Sequence, residues 1–396
     1  MMHFFFSEDV RRAPFAWYDQ VRSASPVLQD ARSGAWMLFD YASVKRAMDD
    51  HVTFSSRVTH PGGRAPEWLV FMDPPQHTTL RALVSRAFTP RAIAALVPRI
   101  EALSAELLDG LRDRDEIDLV AEYATPLPVQ VIAELMGIPP DDHPMFAGWS
   151  HAIVNLSYAI TGGDSGARAL REYMAAKGDI TAYLSRLIDT RRRAPEDDVL
   201  TRLVTGDVDG ERLTVDEIVG FFQLLLSAAT ETTTNLIDNA MLCFLEEPRQ
   251  LDILRASPDL IGSAIEEVVR FRSPGQVMFR QTTRHVELHG RSIPADQFVL
   301  LMIGSANRDP AFFPDPNRFD VRRTPNPHIG FGHGIHACLG AALARTEARV
   351  ALPHLLSRFR RFELATPEPW EPREALHVHG PLALPLRVEW ATVRAS

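Results

Sequence analysis

Phe331-Gly332-His333-Gly334-Ile335-His336-Ala337-Cys338-Leu339-Gly340 runs straight into Ala341-Ala342-Leu343-Ala344-Arg345-Thr346-Glu347. The second part is alanine-rich and reads as helix, which puts Cys338 at or just before a helix N-terminus. Backbone N–H groups and the helix dipole at such a position favour a thiolate. Glycines 332, 334 and 340 permit a tight turn and the close approach of a flat ligand. A thiolate lying against a flat ring, with backbone donors near its sulfur, is what an axial haem ligand requires. Two other readings remain open on these residues, a structural cysteine turn and a zinc site using His333, His336 and Cys338. Zinc would need one more ligand and leaves the phenylalanine and the three glycines without a purpose.

The rest of the 396-residue chain agrees with a large, well-packed core. It is 45% hydrophobic and 23% charged, which argues against disorder and fibrous repeats. Forty-two basic residues against fifty-one acidic ones leave a net charge of -9, and no nucleic-acid partner held by a general basic field is expected. Only Lys45 and Lys177 are lysines, and arginine's fixed planar fork suits carboxylates better than an ammonium does. The two cysteines, Cys243 and Cys338, exclude a disulfide framework and fit a reducing cytoplasm. The first residues, Met1-Met2-His3-Phe4-Phe5-Phe6, give way to charge too soon for a signal peptide or membrane anchor. The apolar runs near Phe221–Ala229 and Phe298–Ile303 are too short to span a bilayer. A cytoplasmic chain with no membrane contact is the expectation.

Most of the sequence reads as helix, with short strands near both ends. Pro26-Val27-Leu28 and Ala35-Trp36-Met37-Leu38-Phe39 flank Arg32-Ser33-Gly34 as a hairpin. Thr89-Pro90 reads as an N-cap and N1 proline opening a helix to about Leu108. Strands are expected at Val286–Leu288, Phe298–Ile303 and Leu384–Val388, and loops at Ser55–Pro66 and Thr161–Gly166. Neither a repeat nor a linker stands out, so one domain over residues 1–396 is expected. Thr214 and Glu217 form a capping box, and Pro248 is the next residue that must stop that helix. The helix would be about 45–50 Å long. Thr230, Thr232, Thr233 and Thr234 interrupt it with β-branched residues whose hydroxyls compete for backbone carbonyls, so local strain is expected there.

The cysteine segment resembles the haem-binding loop of the cytochrome P450 family, F-G-x-G-x-H-x-C-x-G, at every fixed position, Phe331, Gly332 and Gly340 included. The resemblance extends along nearly the whole chain in the family's order. Glu267-Val268-Val269-Arg270 is similar to its E-x-x-R pair. The spacing recurs at Glu8/Arg11 and Glu246/Arg249, and what singles out Glu267 is its place upstream of the cysteine loop. Phe313-Pro314-Asp315-Pro316-Asn317-Arg318-Phe319-Asp320 resembles the family's meander, so Arg318 would complete a structural Glu267–Arg270–Arg318 cluster. His77 and Arg81, in Met72–Arg81, together with Arg280 and His336, match the positions that hold the haem propionates.

The resemblance implies a mainly α fold with a small β-sheet region, a long central helix crossing the haem, haem b (iron protoporphyrin IX) as cofactor, and Cys338 as the iron's axial ligand. It also implies O2 chemistry beside Glu231 and Thr232, which match the family's acid–threonine pair; Thr232 would hold ordered water and Glu231 would relay protons. Ala229 stands where the family often has glycine, narrowing the groove by one methyl. Substrate contacts would come from Trp68, Leu69, Val70, Leu225, Ala228, Val277 and Met278, with Leu382 in the C-terminal turn Gly380-Pro381-Leu382. Their lining is apolar, so a hydrophobic small molecule is expected. The haem-domain motifs consume the chain, so electrons would arrive from a separate ferredoxin or flavodoxin with its NAD(P)H-dependent reductase. Arg322, Arg323, Arg345 and Arg349 would form the docking patch, and the chain would act as a monomer. A monooxygenase is the leading reading. A peroxide-driven peroxygenase and a non-enzymatic haem sensor or carrier are the alternatives.

Overall fold

The computed structural model describes residues 7–60, 63–64, 68–86, 88–155, 163–207, 212–373, 375 and 377–391. It is mainly helical with small sheets. The largest sheet orders its strands Val27–Gln29, Trp36–Leu38, Phe298–Met302, Val277–Thr282 and Phe54–Ser55. The first two form the expected hairpin. Trp36–Leu38 then runs parallel to Phe298–Met302, and the remaining pairs are antiparallel. A second sheet joins Phe359–Leu364, Pro385–Trp390 and Glu116–Asp118. The expected loop over Ser55–Pro66 contains a two-stranded ladder, Thr59–His60 with Gly63–Arg64, and residues 61, 62, 65 and 66 lie outside the described part. Of the Gly-rich stretch, residues 161 and 162 also lie outside it, whereas 163–166 form the first turn of helix Gly163–Arg193 rather than a loop.

The long helix, Val215–Glu246, has 32 residues, and its capping box forms in both directions. It packs against helices Pro126–Leu135, His143–Asn155, Gly163–Arg193, Ile261–Phe271 and Ala341–Arg358, so it is enclosed on most sides. The threonine run does not break it. Thr230 and Thr232 donate to the carbonyls of Leu226 and Ala228, each at 2.6 Å, and Thr234 donates across to the Ala124 carbonyl at 3.0 Å. These three hydroxyls thereby find partners while the helix stays continuous through the run, and burial of the surrounding Leu, Ile and Phe residues rewards that continuity. Thr89 caps helix Pro90–Gly110 as expected.

Glu267 and Arg270, on helix Ile261–Phe271, are both fully buried and paired through two hydrogen bonds of 2.8 and 2.9 Å. The third member of the cluster is Arg323, not Arg318. Arg323 Nε reaches Glu267 Oε1 at 3.1 Å and its other nitrogens bond the carbonyls of Pro314, Asp315 and Arg318. The Arg318 side chain is 64% exposed and pairs with Asp320; only its backbone carbonyl joins the cluster, accepting from Arg270 at 3.2 Å. The meander turns back on itself between the two arginines, so the later one points inward. Asp320 N–H and the Asn326 amide add further donors to Glu267. Next to it, Glu266 receives Arg345 through two bonds of 2.7 Å and faces His328 at 3.0 Å, tying this helix to Ala341–Arg358. Burial alone would raise the Glu266 carboxyl, but Arg345 and His328 outweigh it and bring it down to about 2.

Removing a partner from a buried pair leaves an uncompensated charge. Arg323→Ala is expected to destabilise by about 3 kcal/mol, and Arg318→Ala by less than about 0.5 kcal/mol, as measured by urea denaturation; the reverse order would restore Arg318 to the cluster. The depressed Glu266 carboxyl contributes stability that is complete above its unfolded value of 4.5 and is lost as pH falls toward about 2. Glu266→Gln should therefore flatten the acid-unfolding curve, followed by circular dichroism, within that window.

Candidate functional site

Helix Ala341–Arg358 begins three residues after Cys338, and a 3-10 turn, Gly334–His336, precedes it. The loop closes on itself through the Cys338 N–H, which donates to the Phe331 carbonyl at 2.7 Å. Gly332 and Gly334 have φ of +71° and +67°, a region costly for residues with a Cβ. A Cβ on Gly340 would meet nothing within 4 Å, so this glycine borders open space. Cys338 lies deep among protein atoms, yet its side chain is exposed: it faces a hollow inside the molecule. Burial raises its thiol, opposed by the Gly340 and Ala341 backbone donors and by the Arg81 and Arg345 guanidinium groups. A bound cation would remove that proton, because a coordinating thiol ionises. Arg345 also stacks over the Phe331 ring at 4.1 Å.

The other cysteine behaves differently. Cys243 is fully buried on the long helix, and burial pushes its thiol to about 12, leaving it protonated and inert.

Beside the cysteine loop the fold gathers a set of buried cationic and imidazole groups. Helix Gln76–Ser85 brings His77 and Arg81 to one face, and strand Val277–Thr282 supplies Arg280. His77 and Arg280 are each 2% exposed. Both ring nitrogens of His77, and Nε and one terminal nitrogen of Arg280, have no hydrogen-bond partner among the described residues. The His77 and His336 rings stand 4.3 Å apart. Burial first, then the nearby Arg81 or Arg280 charges, lowers His77 to about 4 and His336 to about 3. His336 Nε2 already has a partner in Ser56 Oγ at 2.9 Å, which no sequence signal marked. A buried guanidinium with unpartnered N–H groups is costly unless an anion meets it. The set therefore fits a flat, dianionic group lying over the cysteine, as the carboxylates of haem b would require.

In the middle of the long helix Ala228 is exposed, and Leu224, Ser227, Ala229 and Thr232 are partly so, although the residues between and after them up to Phe244 are buried. Leu224, Ala228 and Thr232 are four apart and share one face. Leu225, expected as a contact, is buried in the main core, whereas Leu224 beside it is partly exposed. Val277 is likewise turned away: it packs with Tyr18, Phe39 and Met302 on the far side of the sheet. Strand residues alternate faces, so Met278 shares Arg280's face and Val277 cannot. Counting back by twos from Arg280 would have found the Val277 correction. Trp68 and Val70 are partly buried, with the Trp68 indole N–H facing Gln223 at 3.4 Å; Leu382 is 47% exposed.

Glu231 is 4% exposed, and burial pushes its carboxyl up to about 7 against the pull of Arg373. One of its oxygens has no hydrogen-bond partner among the described residues. Near it stands His377, which no motif marked. Of the four arginines expected to dock an electron donor, Arg345 and Arg323 are instead committed to Glu266 and Glu267, and only Arg322 and Arg349 remain exposed.

Residues 255–383 match the family model "Cytochrome P450". Cyclomarin C epoxidase CymV of Salinispora arenicola is 40% identical over 387 residues, covering 96% of this chain and 97% of the relative. Vitamin D(3) 25-hydroxylase of Pseudonocardia autotrophica is 40% identical over 367 residues, covering 90% and 88%. Among solved structures, cytochrome P450 CYP109Q5 from Chondromyces apiculatus superposes with a TM-score of 0.89 at 36% identity, covering 98% of both chains. No helix among the described residues is long and apolar enough to cross a membrane. Likeness of this extent, in the sequence and in the course of the backbone, makes the chain a member of the cytochrome P450 family, a haem-thiolate monooxygenase whose kind binds haem b through a cysteine.

Proposed function

We propose that this chain is a single haem domain that inserts one oxygen atom from O2 into an apolar small molecule, by hydroxylation or epoxidation. The observation that carries this reading is the pairing of a deep, hollow-facing Cys338 with a buried, proton-holding Glu231 beside Thr232. Relatives named as hydroxylases and an epoxidase support it. Haem bound here would supply the redox chemistry of the reaction, with Cys338 as its iron ligand. His77, Arg81, Arg280 and, after exchange of its Ser56 bond, His336 would hold the propionates. Met278, Ala228, Ala229, Leu224 and Trp68 offer a mainly apolar wall to the substrate.

The proton work falls to the long helix. Thr232 spends its hydroxyl proton on the Ala228 carbonyl, so toward the hollow its oxygen can only accept. It can thus hold a water by that water's own O–H and keep it oriented. Glu231, held near neutrality by burial, can both give and regain a proton at physiological pH. A peroxide-driven reaction has less need of such a reservoir. Electrons are proposed to come from a separate ferredoxin or flavodoxin with its NAD(P)H-dependent reductase, docking near Arg322 and Arg349. We further propose that the protein works as a monomer in the cytoplasm.

The reduced, CO-bound protein should display a thiolate-shifted Soret band that is lost in Cys338→Ser; a colourless protein would overturn the reading. Thr232→Ala should lower product formed per NAD(P)H consumed by about tenfold, with the electrons recovered as hydrogen peroxide. Undiminished coupling would mean that water alone manages the protons, and turnover with peroxide but not with a ferredoxin system would favour the peroxygenase.

A further inference from the structure

The C-terminal turn is fixed against the long helix from several directions. Gln276 N–H donates to the His377 carbonyl at 2.8 Å, and Val378 bridges to Gly275. The Asn239 amide, on the long helix, donates to the His379 carbonyl at 2.9 Å. Arg373 Nε donates to Asn235 Oδ1 at 3.0 Å, and a Cβ on Gly380 would fall 2.3 Å from that same oxygen. Glycine at 380 is therefore what lets the turn approach so closely. The consequence is a pair with no sequence motif: His377 Nε2 stands 3.9 Å from Glu231 Oε2. His377 lies deep among protein atoms yet is 31% exposed, so it faces interior space, as Cys338 does.

We propose that His377 is a positioning residue for the oxygen chemistry, forming with Glu231 a carboxyl–imidazole pair that keeps one proton beside Thr232. This inference rests on the monooxygenase reading above. Burial, opposed by Arg373, raises the Glu231 carboxyl to about 7, and burial lowers His377 to about 4. At neutral pH the proton therefore resides on the carboxyl and the imidazole is neutral. Shifting it from Glu231 Oε2 to His377 Nε2 turns a neutral pair into a carboxylate–imidazolium pair and changes no other atom. When Glu231 gives its proton to water on the Thr232 side, the unprotonated Nε2 of His377 can take one from water on its own side, hold the carboxylate as an imidazolium, and pass that proton on to Oε2, which restores the neutral pair. The other charged groups nearby are Arg373, in the same turn, and Asp238, two turns along the helix with both oxygens unpartnered and Asp118 beyond it. Glu231, Asn235 and Asp238 lie on one helix face, and their unpartnered buried atoms are where internal water is required.

The test labels histidine with 15N in the holoenzyme and follows the ring nitrogens of the reduced, CO-bound, diamagnetic form from about pH 5 to about pH 9. The His377 signal is assigned by its loss in His377→Gln. It should stay neutral throughout and show an inflection of midpoint about 7 that reports Glu231 and vanishes in Glu231→Gln. Asp238→Asn should leave the inflection in place. His377→Phe should cut product per NAD(P)H severalfold and release peroxide, with His377→Gln recovering part of the loss. An independent histidine titration near about 6.5, unchanged in Glu231→Gln, would overturn the pair. So would full coupling in His377→Phe alongside an uncoupled Thr232→Ala. Full coupling in both variants would instead remove the monooxygenase proton relay itself.

Discussion

The buried carboxylate of Glu267 is the constraint on which the rest of the structure depends. It is fully buried, and a carboxylate in that position is tolerable only if donors surround it. Arg270 supplies them from the same helix, and the backbone of Asp320 with the side chains of Arg323 and Asn326 from one short stretch of the meander. Satisfying one charge thus fastens the meander to helix Ile261–Phe271. Asn307, whose carbonyl accepts from Arg270, uses its side chain to hold the Ile329 backbone, two residues before the cysteine loop. Glu266, one residue away, fastens the helix that begins at the other end of that loop. The loop carrying Cys338 is braced at both ends by neighbouring glutamates that never touch the site.

In the proposed proton relay the long helix would act through burial. A carboxyl at the surface would be ionised at neutral pH and useless as a proton reservoir, whereas enclosure raises Glu231 to about 7 even with Arg373 near. The same enclosure makes the threonine run harmless, since the hydroxyls of Thr230, Thr232 and Thr234 each find a carbonyl within the helix or on a neighbour. The net charge of -9 describes the outer surface, whereas the interior concentrates arginine and histidine where an anionic cofactor would lie.

What could be read from the residues was local. The capping box, the N1 proline at Pro90, the hairpin at Val27–Leu38 and the cysteine at a helix start all depend on neighbours within a few positions, and the structure has each of them. Val277 was misplaced because strand phase was not carried from Arg280; Leu225, seven residues before Thr232, is on a compatible phase, and only packing shows it buried in the core. Arg318 was misplaced for a deeper reason: in the meander no periodicity says which of two arginines, five positions apart, will face inward.

The sequence by itself determined the family, the iron-ligand candidate, the acid–threonine pair and the helix that bears it, because these reside in short segments whose spacing carries the chemistry. The tertiary structure alone decided that Arg323 closes the buried cluster, that Ser56 engages His336, and that His377 meets Glu231 across 146 positions. Those contacts join segments far apart in the chain, and their geometry follows from how whole elements pack, from a glycine at 380 that admits a backbone and from a buried charge that must be surrounded.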